Sequence, residues 1–324
     1  MKAIPPAIQT FVEKQDGLVT LRDLNSTGLA RTTATRRVEA GVWTRLHRGV
    51  YLTTASKPTP RQRARAALLY AGPQSALSHE AAAWGADMSV RLGATIDVSV
   101  PHTVQRSSVK GVRLHRRRRM PVTQGRLRRT EVNETVLDLC QVANSEDEVI
   151  GWIAEGMRRG ASTDGILLRL ESRPKYPARR QLLELLGETK VGIESPMEYR
   201  FRHNVLIAHE LPLGTHQVPG SVRGKGFRSD WREPTFGIRA ELDGEHWHSG
   251  ARADADHIRD NDVLAQTGDE TFRFLWHDIV RPCLVAGQLA IALRRRGWDD
   301  YPRLCGPDCT LWESAVPHRG FAPR

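Results

Sequence analysis

Asp230, Glu241 and Asp243, with Glu198 upstream and His248 downstream, have the types and spacing for metal-assisted chemistry. From Phe236 to Asp243, Ile238, Ala240 and Leu242 alternate with Arg239, Glu241 and Asp243, a period of two that predicts a strand. Side chains two apart on a strand share a face, so Glu241 and Asp243 project together, about 7 Å apart at their Cα atoms. A second strand through Arg228-Ser-Asp-Trp231, joined across Glu233-Pro234-Thr235, adds Asp230 to the same spot. Three converging carboxylates repel one another and raise a pKa unless a cation sits between them. Hard oxygen ligands suit Mg²⁺ or Mn²⁺, and such an ion can bind a scissile phosphate and activate water for phosphodiester hydrolysis.

The flanking residues extend this site. Gly244 permits a turn, and Glu245-His-Trp-His248 brings imidazoles near the acids, where His248 could act as general acid or base. Upstream, Ser195 suits a helix N-cap and Pro196 the first turn. Glu198, three residues after Ser195, then reads equally as a capping-box carboxylate and as an outer ligand. The plainer alternative is an acidic strand in a domain that binds without cutting.

Residues Glu194 to Ile279 resemble the Vsr-like branch of the PD-(D/E)XK nuclease superfamily, related to very-short-patch-repair endonucleases. The points of likeness are "ESPMEYRFR", "RSDW", "AELDGEHWH", "IRDN" and "FRFLWHDI". The resemblance implies that Asp230 is the motif aspartate, Glu241 the second acid, Asp243 the third position and His248 the histidine after the aromatic residue. The wider superfamily places Lys where Asp243 stands, which shifts the implied site toward metal binding and leaves proton transfer to His248 or water.

A second set of residues points to nucleic acid. Leu18 to Leu24 predicts a short helix opened by Thr20, Gly28 a turn, and Leu29 to Ala40 a second helix ending at Gly41. Arg31, Thr32, Thr33, Thr35, Arg36 and Arg37 take its outward positions, with Leu29, Ala34 and Val38 inward. Such polar groups reach phosphates and base edges in a major groove. Trp43 to Leu52 predicts two strands around Arg48-Gly49, a wing with Arg45, His47 and Arg48 at its tip. The stretch "GLARTTATRRVEAGVWTRLHRGVYL", with "ALSHEAAAWGADM" at Ala76 to Met88, resembles the N-terminal region of AbiEi-type antitoxins. That likeness implies transcriptional autorepression in a toxin–antitoxin pair and a cognate toxin as partner.

These sites need scaffolds. Helices are predicted at Arg61 to Ala71, Ser78 to Gly85, Thr130 to Val142, Glu146 to Arg159 and Arg179 to Glu188, and strands at Thr95 to Val100, Val112 to His115 and Thr271 to Trp276. The fold class expected is α+β multidomain: a winged helix-turn-helix over 1–56, a mixed α/β region over 57–190, a PD-(D/E)XK-like α/β domain over 191–299 and a tail over 300–324. The His79-Glu80 pair has no sequence partner and reads as structural, and the run Arg116 to Arg119 as a solvated strand end. Structural zinc commonly uses closer cysteine pairs than Cys305-Gly-Pro-Asp-Cys309, with His318 beyond, so this stretch reads as tail packed on the last domain.

A formal charge of +11 over 324 residues favours a polyanionic partner, here double-stranded DNA. No apolar run approaches the roughly 20 residues of a membrane helix. Four cysteines form no disulfide framework in so long a chain, and the N-terminus lacks a secretion signal, so a cytoplasmic setting is expected. Together these features predict a DNA-binding protein with a Mg²⁺- or Mn²⁺-dependent endonuclease-like domain, or alternatively a repressor or antitoxin that never cuts.

Overall fold

The structure, a computed structural model, describes residues 4–188, 192–243 and 251–311, without the side chains of 251–257. The chain forms two units, one of Met1–Asn144 and Glu155–Ala178 and the other of Ser145–Ala154 and Arg179–Arg324.

The first unit begins with helix α1 (Gln9–Lys14), strand β1 (Leu18–Thr20), helices α2 (Leu21–Ser26) and α3 (Arg31–Glu39), and strands β2 (Thr44–His47) and β3 (Val50–Leu52). The first predicted helix starts later than expected. Leu18 and Val19 are strand residues paired with Leu52 and Tyr51, and Thr20 is the N-cap that opens the helix, as expected. Its hydroxyl accepts from the Asp23 amide while the Asp23 carboxylate takes the Thr20 amide, which satisfies two donors the helix start leaves open. Gly28, with φ of 75°, makes the left-handed turn into α3. Ile8, Val12, Leu24, Ala34, Trp43 and Tyr51 bury together, and Leu29 and Val38 pack on them as their inward positions require. The three strands lie in the order β1-β3-β2.

Helix α4 (Pro60–Ala71) follows, capped by Thr59 and Gln62. Then come β4 (Ala76–Leu77), α5 (His79–Gly85), β5 (Ile96–Pro101), β6 (Val112–Arg117), β7 (Thr123–Gln124) and β8 (Arg129–Thr130), in the sheet order β6-β5-β4-β8-β7. Strand β5 lies between β6 and β4 and is nearly all buried, so it carries no alternation. Helices α6 (Val132–Val142), α7 (Glu146–Arg158) and α8 (Thr163–Glu171) complete this part, with α7 passing from the second unit into the first.

The second unit adds α9 (Arg179–Glu188) and α10 (Pro196–Arg200), which continues as a wider-wound π-helical stretch, Phe201–Ile207. Strands β9 (Thr215–Val222), β10 (Lys225–Glu233) and β11 (Ile238–Asp243) run antiparallel in sequence. Helix α11 (Ala251–Thr267) then leads to β12 (Glu270–Leu275), which pairs parallel to β11, giving the order β12-β11-β10-β9. Helices α12 (Trp276–Ile279) and α13 (Pro282–Arg295) close the unit. Trp231, Ile238, Ala240 and Phe274 pack with Phe201 and α13 in its core, leaving the opposite strand face to polar side chains.

Candidate functional site

The helix-turn-helix presents its basic residues as a group. Arg31, Thr32, Thr35 and Arg36 are exposed on α3, Thr33 is half-buried and Ala34 is inside. Arg37 departs from the expectation of a purely outward residue: its guanidinium lies over the Trp43 ring, 5.2 Å from the centroid. On the wing, Arg45 and Arg48 are exposed, Arg45 opposite Tyr51 in mid-strand and Arg48 in the turn. His47 is not at the tip. It packs on Tyr70 with ring centroids 5.6 Å apart, and burial lowers its pKa. Sequence reasoning missed a wide cleft in the same unit, lined by Arg22, Arg48, Arg65, Arg106, Arg126 and Arg128. These arginines are scattered along the chain, so no local charge run signals them.

The acidic site is built where sheet pairing gives way. Regular β10–β11 pairing runs from Glu233↔Ile238 to Trp231↔Ala240. Beyond it the Asp230 carboxylate takes the Leu242 amide at 2.6 Å, a donor a neighbouring strand would otherwise engage. Glu241 is buried on the polar face, beside buried Arg239. Glu198 stands at the helix start as the cap reading expects, but its carboxylate turns to the amide before the cap and not to the Ser195 amide of a full capping box. Ser195 caps α10 through the Glu198 amide at 3.1 Å, while the Glu198 carboxylate accepts from the Glu194 amide and from Gln217, each at 2.9 Å.

The carboxyls respond to one another. Burial, reinforced by the charge of Asp230, pushes Glu241 up to about 7 although Arg259 and Arg273 oppose it. Burial also raises Asp230, with Asp243 adding repulsion and the Leu242 amide working against it. Glu198 is raised by burial and by Asp230, against the bonds from Glu194 and Gln217. These responses put four acids in one electrostatic neighbourhood. Asp243 is not an open ligand: Arg273 on β12, which pairs with Glu241 in the register, donates to Asp243 at 3.0 Å and to Asp260 at 2.8 Å. The oxygens of these acids also do not gather as tightly as three ligands on one ion do. His248 lies outside the described residues.

His79, read as structural with no partner visible in the sequence, finds its partners in the fold. It is buried with φ of 50°, stacks on His115 at 4.0 Å between centroids, and lies 3.9 Å from Asp138. Burial lowers its pKa, outweighing the nearby carboxylate. His115 pairs with Asp97 at 2.8 Å. Fully buried Asp138 is gripped by Arg117 and Arg173, so Arg117 belongs to an internal network rather than a solvated run. Although burial alone would raise it, the two guanidinium groups hold the Asp138 carboxyl below its ordinary range.

A three-stranded sheet with a helix-turn-helix and a Gly-tipped hairpin defines a winged-helix class of domain. Residues 6–54 match the profile of a family described as "Transcriptional regulator, AbiEi antitoxin". No curated protein matches the chain. The crystal structure of the RV2827C protein from Mycobacterium tuberculosis is similar at 15% identity and a TM-score of 0.38, covering 58% of this chain and 79% of that one. A likeness of that size carries nothing over to this chain. Among the described residues no helix is long and apolar enough to cross a membrane.

Proposed function

We propose that this protein is a DNA-binding transcriptional regulator of the AbiEi antitoxin type, with α3 in the major groove and the β2–β3 wing on the adjoining backbone. The observation that carries the reading is the exposed set Arg31, Thr32, Thr35 and Arg36 on α3, beside Arg45 and Arg48 on the wing. Arginine and threonine at these places offer phosphate contacts that set register and hydrogen bonds that read base edges. The arginine-lined cleft extends the basic surface, and the family match over residues 6–54 supports the same role. A cognate toxin protein is the partner this reading implies.

Footprinting on the DNA upstream of the protein's own reading frame tests it. Protection should be lost in an Arg31→Ala, Arg36→Ala double variant that still melts like the parent. Undiminished protection by that variant would sink the assignment of α3. Co-purification with the product of the neighbouring gene tests the toxin.

A second reading is favoured by the raised acids of the C-terminal unit: metal-dependent hydrolysis of DNA phosphodiesters. The donor set is all hard oxygen, which fits Mg²⁺ or Mn²⁺ in chemistry. Asp230 and Glu241 would hold the ion, with Glu198 beside them and Asp243 contributing on release from Arg273. Bound there, the ion would supply Lewis-acid stabilisation of phosphate charge and a more acidic water. Of the chain's own groups, Arg259 and Arg273 offset the carboxylate charge and His248 is the proposed proton carrier. Plasmid nicking with either metal, abolished in Glu241→Ala, is the expected outcome; no nicking by the parent across metals and DNA forms removes this reading and leaves the regulator intact.

A further inference from the structure

Cys283, Cys305, Cys309 and His209 come from three separate parts of the chain and meet at one point. Each places a ligand atom within 4.8 Å of all the others. Cys283 Sγ lies 3.6 Å from Cys305 Sγ and 3.7 Å from Cys309 Sγ, and Cys309 Sγ lies 3.7 Å from His209 Nε2.

These separations are too long for a disulfide, whose sulfurs sit about 2.05 Å apart. They match the edges of a coordination tetrahedron: with Zn–S near 2.3 Å and Zn–N near 2.0 Å, its vertices stand about 3.5–3.8 Å apart. The imidazole is oriented for such a role. His209 is fully buried, and its Nδ1 lies 3.0 Å from the Val205 carbonyl. The tautomer with its proton on Nδ1 donates there and leaves the Nε2 lone pair toward the sulfurs, the usual carbonyl–histidine–metal arrangement.

The surroundings give such a site a purpose. Cys283 is the second residue of α13, His209 follows the π-helical stretch after α10, and Cys305 and Cys309 sit in a segment, 299–310, with neither helix nor strand. Two backbone hydrogen bonds are seen in that segment: the Arg303 amide donates to the His209 carbonyl at 2.8 Å, and the Cys309 amide to Gly306 at 3.2 Å. Yet the segment delivers Leu311 into the core. Arg294 on the Asp299 and Asp300 carbonyls and the Arg303–Glu210 pair hold the start of the segment, and a bound ion would fix its Cys305–Cys309 turn as well.

We propose that Cys283, Cys305, Cys309 and His209 form a Cys₃His structural zinc site that staples the C-terminal segment to α13 and to the end of the α10 helix. Three thiolates and one imidazole in a closed tetrahedron suit Zn²⁺ and leave no position for a substrate. The site is independent of the acidic cluster and of DNA binding. It also replaces the expectation of a loose tail and changes the ligands considered for it: Cys283 and His209 join Cys305 and Cys309, while His318 lies outside the described residues.

Metal analysis of the full-length chain, purified without a histidine tag and passed through gel filtration, decides the matter. One equivalent of zinc per chain is expected. Cys305→Ser and Cys309→Ser should each lose it, while Cys140→Ser, in α6 of the other unit, and Glu241→Ala should retain it. Replacing zinc with Co²⁺ in the unmutated protein should give a thiolate-to-cobalt charge-transfer band and the intense visible bands of a tetrahedral ion, a readout that does not depend on variants folding. A zinc-free protein that takes up Co²⁺ without those bands, zinc retained in both serine variants, or an iron–sulfur chromophore would each overturn the assignment.

Discussion

The guanidinium of Arg37 lies across the indole of Trp43, joining the last turn of α3 to the start of the wing. Arg36, one residue earlier, is exposed. Neighbouring arginines of one helix therefore have separable roles. Arg36→Ala should leave the melting temperature unchanged, weaken DNA binding and reduce the salt-dependence slope by about one. Arg37→Ala should lose about 0.5–1 kcal/mol of stability through its cation–π contact before any effect on DNA. Thermal melts beside salt-titrated binding isotherms distinguish the two.

Glu241 should make stability depend on pH in the direction opposite to a salt-bridged acid. Its carboxyl is pushed from the ordinary 4.5 up to about 7 in the fold. The folded chain then holds a proton that the unfolded chain has released, so between those two values stability falls as pH rises. Its contribution is fully present below the unfolded value and gone above the folded one. Glu241→Gln should therefore be less pH-sensitive and gain up to roughly 3 kcal/mol relative to its parent at pH 8. Denaturant melts at pH 5 and pH 8 measure this, and an unchanged pH profile in the variant contradicts the raised carboxyl.

Arg273 ties Asp243 and Asp260 together. Arg273→Met should destabilise the second unit by about 1–3 kcal/mol, because half-buried carboxylates lose their partner. The same change frees Asp243 and should tighten Mg²⁺ or Mn²⁺ binding if the acids form a cation site. Calorimetric titration checks this second effect, and weaker binding in the variant counts against Asp243 as a ligand.

Asp138 has no exposed surface and answers to two arginines. Asp138→Ala should cost the first unit about 3 kcal/mol by leaving Arg117 without its carboxylate, while Arg173 keeps Glu134. Hydrogen exchange should report loosening in α6 and β6 while the strands of the second unit keep their protection.

Local signals carried much of this architecture. The alternation around Glu241, the Ser195 cap and the Gly28 turn each rest on residues a few positions apart, and the corresponding elements form there. Strand β9 was hidden because Pro219 and Gly220 interrupt it; they are tolerated where Pro219 faces Arg228 in the register. The start of the first winged-helix helix was misplaced because Leu18 and Val19 suit both a strand and a helix until Leu52 and Tyr51 arrive as partners. Pairings such as Asp243 with Arg273, or His79 with His115 and Asp138, depend on strand order and helix packing, which no local pattern encodes. The Cys₃His cluster is the extreme case. Its Cys305–Cys309 half is visible as a motif, but His209 and Cys283 carry no signal of their own.

The assignment of residues 145–154 to the second unit, while 155–178 return to the first, bears on how the protein can be dissected. Ile150, Ile153 and Ala154 line a cavity with Leu185, Ile193 and Tyr199, and Asp147 receives Arg200 at 2.8 Å. A single cut after Ala178 would therefore strand ten residues on the wrong fragment, stripping the C-terminal piece of part of its interior and giving the N-terminal piece an apolar helix face without a cover. Neither half is a clean module, and separating the winged-helix end from the acidic end without damage requires grafting residues 145–154, which hold the first part of α7, onto the C-terminal fragment.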